Sequence, residues 1–103
     1  MSKADIIQKI QDIAPTMPNA GAIKRIRLFG SYVHDTATEE SDVDLLVDFD
    51  VKKEPVGLFE LIQFQQRFED ALQKSVDFVP SDSLNKRIQE RVNQEAETIY
   101  EQV

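Results

Sequence analysis

The chain has 103 residues, enough for one hydrophobic core and too few for two, so residues 1–103 are expected to form a single domain. It holds no cysteine and one histidine, His34, which excludes a disulfide framework, a thiolate metal site and a thiol nucleophile, and leaves oxygen ligands suited to a hard cation such as Mg²⁺. Nineteen acidic against twelve basic residues give a formal net charge of −7, which repels a phosphate backbone and argues against nucleic acid as the partner. No stretch of about 18 or more apolar residues is present to span a bilayer. The opening MSKADIIQKI also lacks the basic head and apolar centre of a secretory signal, so a cytoplasmic location and no membrane partner are expected.

From Ser2 to about Met17, Ile6, Ile10, Ile13, Ala14 and Met17 recur at three and four positions, the spacing of one helical face, and Pro15 and Pro18 close that helix. After the turn chemistry of residues 19–21, Ile26, Leu28 and Phe29 form a short apolar run stopped by Gly30, which predicts a strand. Lys24, Arg25 and Arg27 alternate with it and read as the wet face of an edge strand, with triphosphate or partner contact as the other possibility.

Residues 35–41, DTATEES, are too polar for core and form an excursion. From Asp42 the pattern alternates: Val43, Leu45, Val47 and Phe49 share one strand face, while Asp42, Asp44, Leu46, Asp48 and Asp50 share the other. Asp48 and Asp50 read as solvated. Leu58, Leu61, Ile62, Phe68 and Leu72, widened by Phe59 and Phe64, then predict a core helix of roughly four turns.

SVDFV, residues 75–79, is short and β-branched and predicts a third strand before Pro80. Asp82 or Ser83 is the expected cap of a last helix whose seam is Leu84, Ile88, Val92, Ala96 and Ile99 or Tyr100. The order is α-β-β-α-β-α, a small mixed α/β (α+β) sheet packed by helices.

Asp42 and Asp44 project from one strand face with their Cα atoms about 6 to 7 Å apart, at ~3.3 Å rise per residue. Like charges that close raise one another's pKa unless a cation holds them. Asp77 sits mid-run in the third strand, where burial of an unpaired charge is costly. If that strand neighbours the second, all three carboxylates meet. Such a cluster, holding two metal ions about 3.5 to 4 Å apart, suits in-line phosphoryl or nucleotidyl transfer. Gly30 permits close approach of backbone to a phosphate, and the residues that follow can present N–H groups and the Ser31 hydroxyl to it.

Gly30-Ser31, ten residues, then Asp42-x-Asp44 and an aliphatic run resembles the DNA polymerase β nucleotidyltransferase superfamily, and within it the minimal nucleotidyltransferases. The resemblance runs through SVDFV, where Asp77 matches the family's third metal ligand, to ERVNQEAETIY, which looks like its closing helix. It implies the polymerase β palm-like fold and a transferase moving AMP from Mg·ATP onto a hydroxyl, a tyrosine by analogy, of a HEPN-domain ribonuclease toxin. The chain would then be that toxin's antitoxin and assemble with it. By the same resemblance Asp42 and Asp44 coordinate two Mg²⁺ ions, Asp77 completes the site of the ion that activates the acceptor, and Gly30 and Ser31 hold the triphosphate of ATP. The chain departs from the family where an Ala-Arg-Gly segment is common and Val33-His34-Asp35 stands instead, which replaces a fixed cation by a titrating group. Two alternatives stand beside this reading: an antitoxin that acts by binding alone, and a transferase acting on RNA ends, against which the lack of a basic patch with interleaved aromatics counts.

Overall fold

The computed structural model describes residues 1–34, 36–50 and 52–102; Asp35, the second residue of the His34-Asp35 departure, lies outside them. Helix α1 spans Lys3–Ile13 and starts where Ser2 and Asp5 exchange capping bonds, Asp5 N–H to Ser2 Oγ at 3.2 Å and Ser2 N–H to Asp5 Oδ2 at 3.0 Å. Its inward face carries Ile6 and Ile10, both fully buried. Pro15 does not interrupt it, because the helix has already given way to a single 3₁₀ turn, Ala14–Thr16.

Strand β1 (Ile23–Phe29) is followed by a 3₁₀ turn (Gly30–Tyr32), then by β2 (Val43–Phe49), α2 (Leu58–Leu72), β3 (Val76–Pro80), α3 (Lys86–Glu95) and β4 (Glu97–Glu101). The four strands form one mixed sheet in the order β3-β2-β1-β4, with β2 and β3 parallel and the other neighbours antiparallel. A parallel pair needs a crossover, and α2 supplies it. One sheet face, built from Ile26 and Leu28, Val43, Leu45 and Val47, and Val76 and Phe78, packs under α1 and α2 against Phe64, Phe68 and Leu72. Phe78 lies within 6.0 Å of Phe64 and 5.8 Å of Phe68, ring centre to ring centre.

The expected α/β (α+β) architecture of a mixed sheet packed by helices is the one observed, with one strand more. The last helix ends at Glu95, and Glu97–Glu101 is strand β4 along the free side of β1. Thr98, Ile99 and Tyr100 are β-branched or aromatic, and pairing satisfies backbone groups on β1 that would otherwise be left unbonded. Ile99 therefore enters the core from a strand and not from a helical seam. The cap of α3 is Asn85, whose Oδ1 accepts from Ile88 N–H at 3.0 Å, in place of Asp82 or Ser83. Helix α2 buries one side only: Leu61, Phe64, Phe68 and Leu72 recur at three and four positions and pack on the core, while Leu58, Phe59 and Ile62 lie on the side turned away and are exposed. β1 is a central strand, not an edge, and Arg27 on it is 7% exposed.

Candidate active site

The parallel register of β2 and β3 sets Asp44 directly opposite Asp77. Alternation points both to the outer face of the sheet, away from α1 and α2. Asp42 lies one residue before β2, and its charge reaches Asp44. The sequence left the order of the strands open; β3 does neighbour β2, and the three aspartates are brought to one end of one face. Asp77 is exposed there, which answers the cost of burying it: the side chain avoids the core altogether.

On the other side of β2, the antiparallel register puts Phe29 opposite Asp44, so the chain turns at Gly30 just beyond the acidic row. Gly30 sits at φ +77°, in the left-handed region. A Cβ built on it would overlap Asp44 Oδ2 and lie 3.1 Å from Asp44 Cγ. The Asp44 carboxylate therefore rests over a position that only glycine leaves open. Ser31 follows in the tight turn, whose Gly30 carbonyl accepts from Val33 N–H at 3.1 Å and His34 N–H at 3.3 Å.

Burial, and then the charges of Asp77 and Asp42, hold the Asp44 carboxyl above its ordinary value of 3.8. Carboxylates crowded in this way and without a nearby arginine or lysine bond favour a hard divalent cation, so the donor set fits Mg²⁺. As placed, the three side chains do not close on one point, and among the described residues no three His, Cys, Asp or Glu groups do. Asp42 and Asp77 are exposed, which leaves their side chains room to rotate toward Asp44.

Two further groupings were not anticipated. Arg25 Nε donates to Asp48 Oδ2 at 2.6 Å, Arg27 Nη2 to Asp48 Oδ1 at 3.4 Å, and Arg27 Nη1 to Asn93 Oδ1 of α3 at 2.6 Å. Asp48 is accordingly no solvated carboxylate. Burial acts to raise its pKa, but the Ser81 hydroxyl, the Arg25 hydrogen bond and the charges of Arg27 and Arg25 outweigh that and leave it lowered. The basic residues at 25 and 27 and the acidic one at 48 were visible in the sequence; their pairing needed the β1 to β2 register. His34 Nε2 lies 3.2 Å from Glu95 Oε2, linking the turn after Ser31 to the end of α3. Asp50 caps its own turn, its Oδ1 accepting from Lys52 N–H at 3.2 Å.

The family model described as "Polymerase beta, Nucleotidyltransferase" matches residues 8–103. The chain belongs to this nucleotidyltransferase family. Among curated relatives it is 40% identical over 73 residues, 71% of either chain, to the protein adenylyltransferase MntA of Thermococcus cleftensis. It spans 61% of the length of some of the Methanocaldococcus jannaschii relatives that it matches. A solved chain of the minimal nucleotidyltransferase class superposes with a TM-score of 0.76 at 29% identity, covering 93% of this chain and 94% of that one. The same fold recurs at lower identity in two toxin–antitoxin structures. One, with AMP-PNP, has a TM-score of 0.70 at 22% identity and covers 99% of this chain and 75% of that one. The other, a tri-AMPylated Shewanella oneidensis HEPN toxin with an MNT antitoxin, has a TM-score of 0.61 at 21% identity and covers 97% and 70%. For this family member the palm-like sheet and the nucleotidyltransferase assignment agree with what Gly30-Ser31 and Asp42-x-Asp44 imply.

Proposed function

We propose that this nucleotidyltransferase transfers AMP from ATP, with Mg²⁺, to a hydroxyl of a partner HEPN-domain toxin in the cytoplasm, and so acts as its antitoxin. The observation that carries the proposal is the register that sets Asp44 beside Asp77, with Gly30 leaving room for the Asp44 carboxylate. The adenylyltransferase name of the Thermococcus relative, the AMP-PNP in one solved toxin–antitoxin complex and the AMPylated HEPN toxin in another support the choice of donor and acceptor. No helix among the described residues is long and apolar enough to cross a membrane.

In this reading Asp42, Asp44 and Asp77 would hold the metal. Bound there, Mg²⁺ would offset charge that builds on the attacking and leaving oxygens. Gly30 and Ser31 hold the triphosphate tail through backbone N–H groups and the serine hydroxyl, fixing the α-phosphorus over Asp44. The acceptor oxygen bonds to the α-phosphorus as the bond from that phosphorus to the bridging oxygen breaks; pyrophosphate leaves toward the turn, and the hydroxyl proton passes to solvent.

Intact-mass analysis of the partner after incubation with this chain and Mg·ATP tests the proposal. The expected result is a gain of one AMP per modified hydroxyl, abolished in the Asp42→Ala, Asp44→Ala double variant. An unmodified partner that is nonetheless neutralised by both forms would replace transfer by binding alone.

A further inference from the structure

A hollow of about 290 Å³ lies between α3 and the outer face of the sheet, with Arg25, Arg27, Asp48, Gln89 and Asn93 in its wall. It adjoins a second of about 430 Å³ that shares Arg25, Asp48, Ser81 and Asp82 with it and adds Lys24. Three cations thus face two carboxylates, in a protein whose net charge is −7. Arg25 and Arg27 both draw on the single carboxylate of Asp48. Arg27 is more than nine-tenths buried, yet its Nε–H has no hydrogen-bond partner among the described residues. A buried, charged donor left unbonded costs free energy that an incoming acceptor atom would recover.

The place of the hollow says which molecule brings that atom. Along the outer face the rows run from the Gly30-Ser31 turn to Phe29 with Asp44, then Arg27 with Leu46, then Arg25 with Asp48. The hollow therefore begins about 7 Å past the Asp44 row and extends to about 13 Å, at ~3.3 Å per residue, on the side away from the phosphate turn. In an in-line displacement the attacking and leaving oxygens stand on opposite sides of the phosphorus. If pyrophosphate leaves toward Gly30 and Ser31, the acceptor enters from the arginine side.

We propose that this hollow is an acceptor subsite, which takes the carboxylate of an acidic side chain that lies close to the modified hydroxyl on the acceptor polypeptide. The proposal rests on the adenylyl-transfer reading. A turn of the Arg27 side chain brings its Nε–H, which solvent does not reach in this structure, to donate to that carboxylate. Arg25 and Lys24 supply charge at the mouth, and Asp48 keeps both guanidinium groups in place until that carboxylate arrives. The bond from Arg27 to Asn93 makes α3 part of the wall, and Gln89 pins the same helix by donating to Ser81 O at 3.0 Å and Leu84 O at 2.9 Å.

The direct test is titration of the full chain with glutarate while the Nε–H resonances of Arg25 and Arg27 are followed by NMR. Both are expected to shift and saturate, and Asp48→Asn, which removes the competing carboxylate while keeping its shape, is expected to tighten the apparent affinity about fivefold or more. Unmoved arginine resonances in both proteins would overturn the subsite. Shifts produced by Mg·ATP alone would assign the hollow to the nucleotide, and a stronger response to a short oligoribonucleotide than to a glutamate-rich peptide of equal length would assign it to RNA; either overturns the proposal. In transfer assays with the partner, Arg25→Gln is expected to raise the acceptor KM about tenfold with kcat nearly unchanged, the signature of lost uniform binding. An unchanged KM would count against the subsite. Because glutarate binding involves no transfer, its outcome stands apart from that of the mass analysis with the Asp42 and Asp44 variants.

Discussion

Asp44 and Asp48 lie four residues apart on one strand, point to the same face of one sheet, and have opposite fates. Asp48 sits between two guanidinium groups and is held ionised; Asp44 is partly buried beside the charges of Asp77 and Asp42 and resists ionisation. The sheet is thus neutralised from within at one end and left in need of a cation at the other. A structural carboxylate is recognised by its completed partners, and a candidate metal ligand by their lack.

The largest expected effect comes from breaking the unsatisfied end. Asp44→Ala should lower AMP transfer about a thousandfold, since a metal ion stabilises the transition state by several kcal/mol and each 1.36 kcal/mol is tenfold in rate. A steady-state pyrophosphate-release assay reads this directly. Breaking the satisfied end should instead cost stability: Asp48→Ala leaves Arg27 buried and short of its counter-charge, for an expected loss of about 2 to 3 kcal/mol in urea unfolding. Activity per folded molecule should fall far less than in Asp44→Ala.

Gly30→Ala touches both fold and site. The left-handed backbone alone should cost about 1 to 2 kcal/mol, and the added methyl must push the Asp44 carboxylate aside, so Mn²⁺ affinity measured by paramagnetic relaxation should drop with stability.

The smallest effect sharpens the contrast through pH. A carboxyl whose folded pKa is raised binds its proton more tightly in the folded state, so Asp44 removes stability as pH rises above 3.8 through its folded value. Asp48, lowered, does the reverse: it contributes stability above 3.8 that is lost as pH falls through its folded value. Asp44→Asn should therefore raise Tm slightly at neutral pH, and the gain should vanish on approach to pH 4. A variant without that gain would place a cation or another donor beside Asp44.

Much of this was legible in the chain because it is local. The alternation from Asp42 to Phe49, the stripe from Phe64 to Leu72 and the Gly30 stop are properties of single elements, read from the two repeat periods of strand and helix. Gly30, Ser31, Asp42, Asp44 and Asp77 are all named by the sequence, and the structure brings the three aspartates to one edge of the face. Illegible were the features that depend on which strand lies beside which. Glu97–Glu101 continues an apolar spacing that suits a helix, and only the free side of β1 makes it a strand. Once β4 covers that side, β1 is central and Arg27 is enclosed. Leu58, Phe59 and Ile62 are as apolar as the buried residues of α2, and only the side of the helix that meets the sheet decides that they stay exposed.

By itself the sequence determined most of the elements, and it named Gly30, Ser31, Asp42, Asp44 and Asp77 as candidates to meet a phosphate and a hard cation. Those follow from side-chain chemistry and from spacing along one strand or helix. Tertiary structure decided that Asp44 would stand opposite Asp77 while Asp48 would meet two arginines, because register between strands distant in sequence is set by burying one whole face at once. That choice lies in no single segment, and it separates the carboxylate paired with arginines from the one set among other carboxylates.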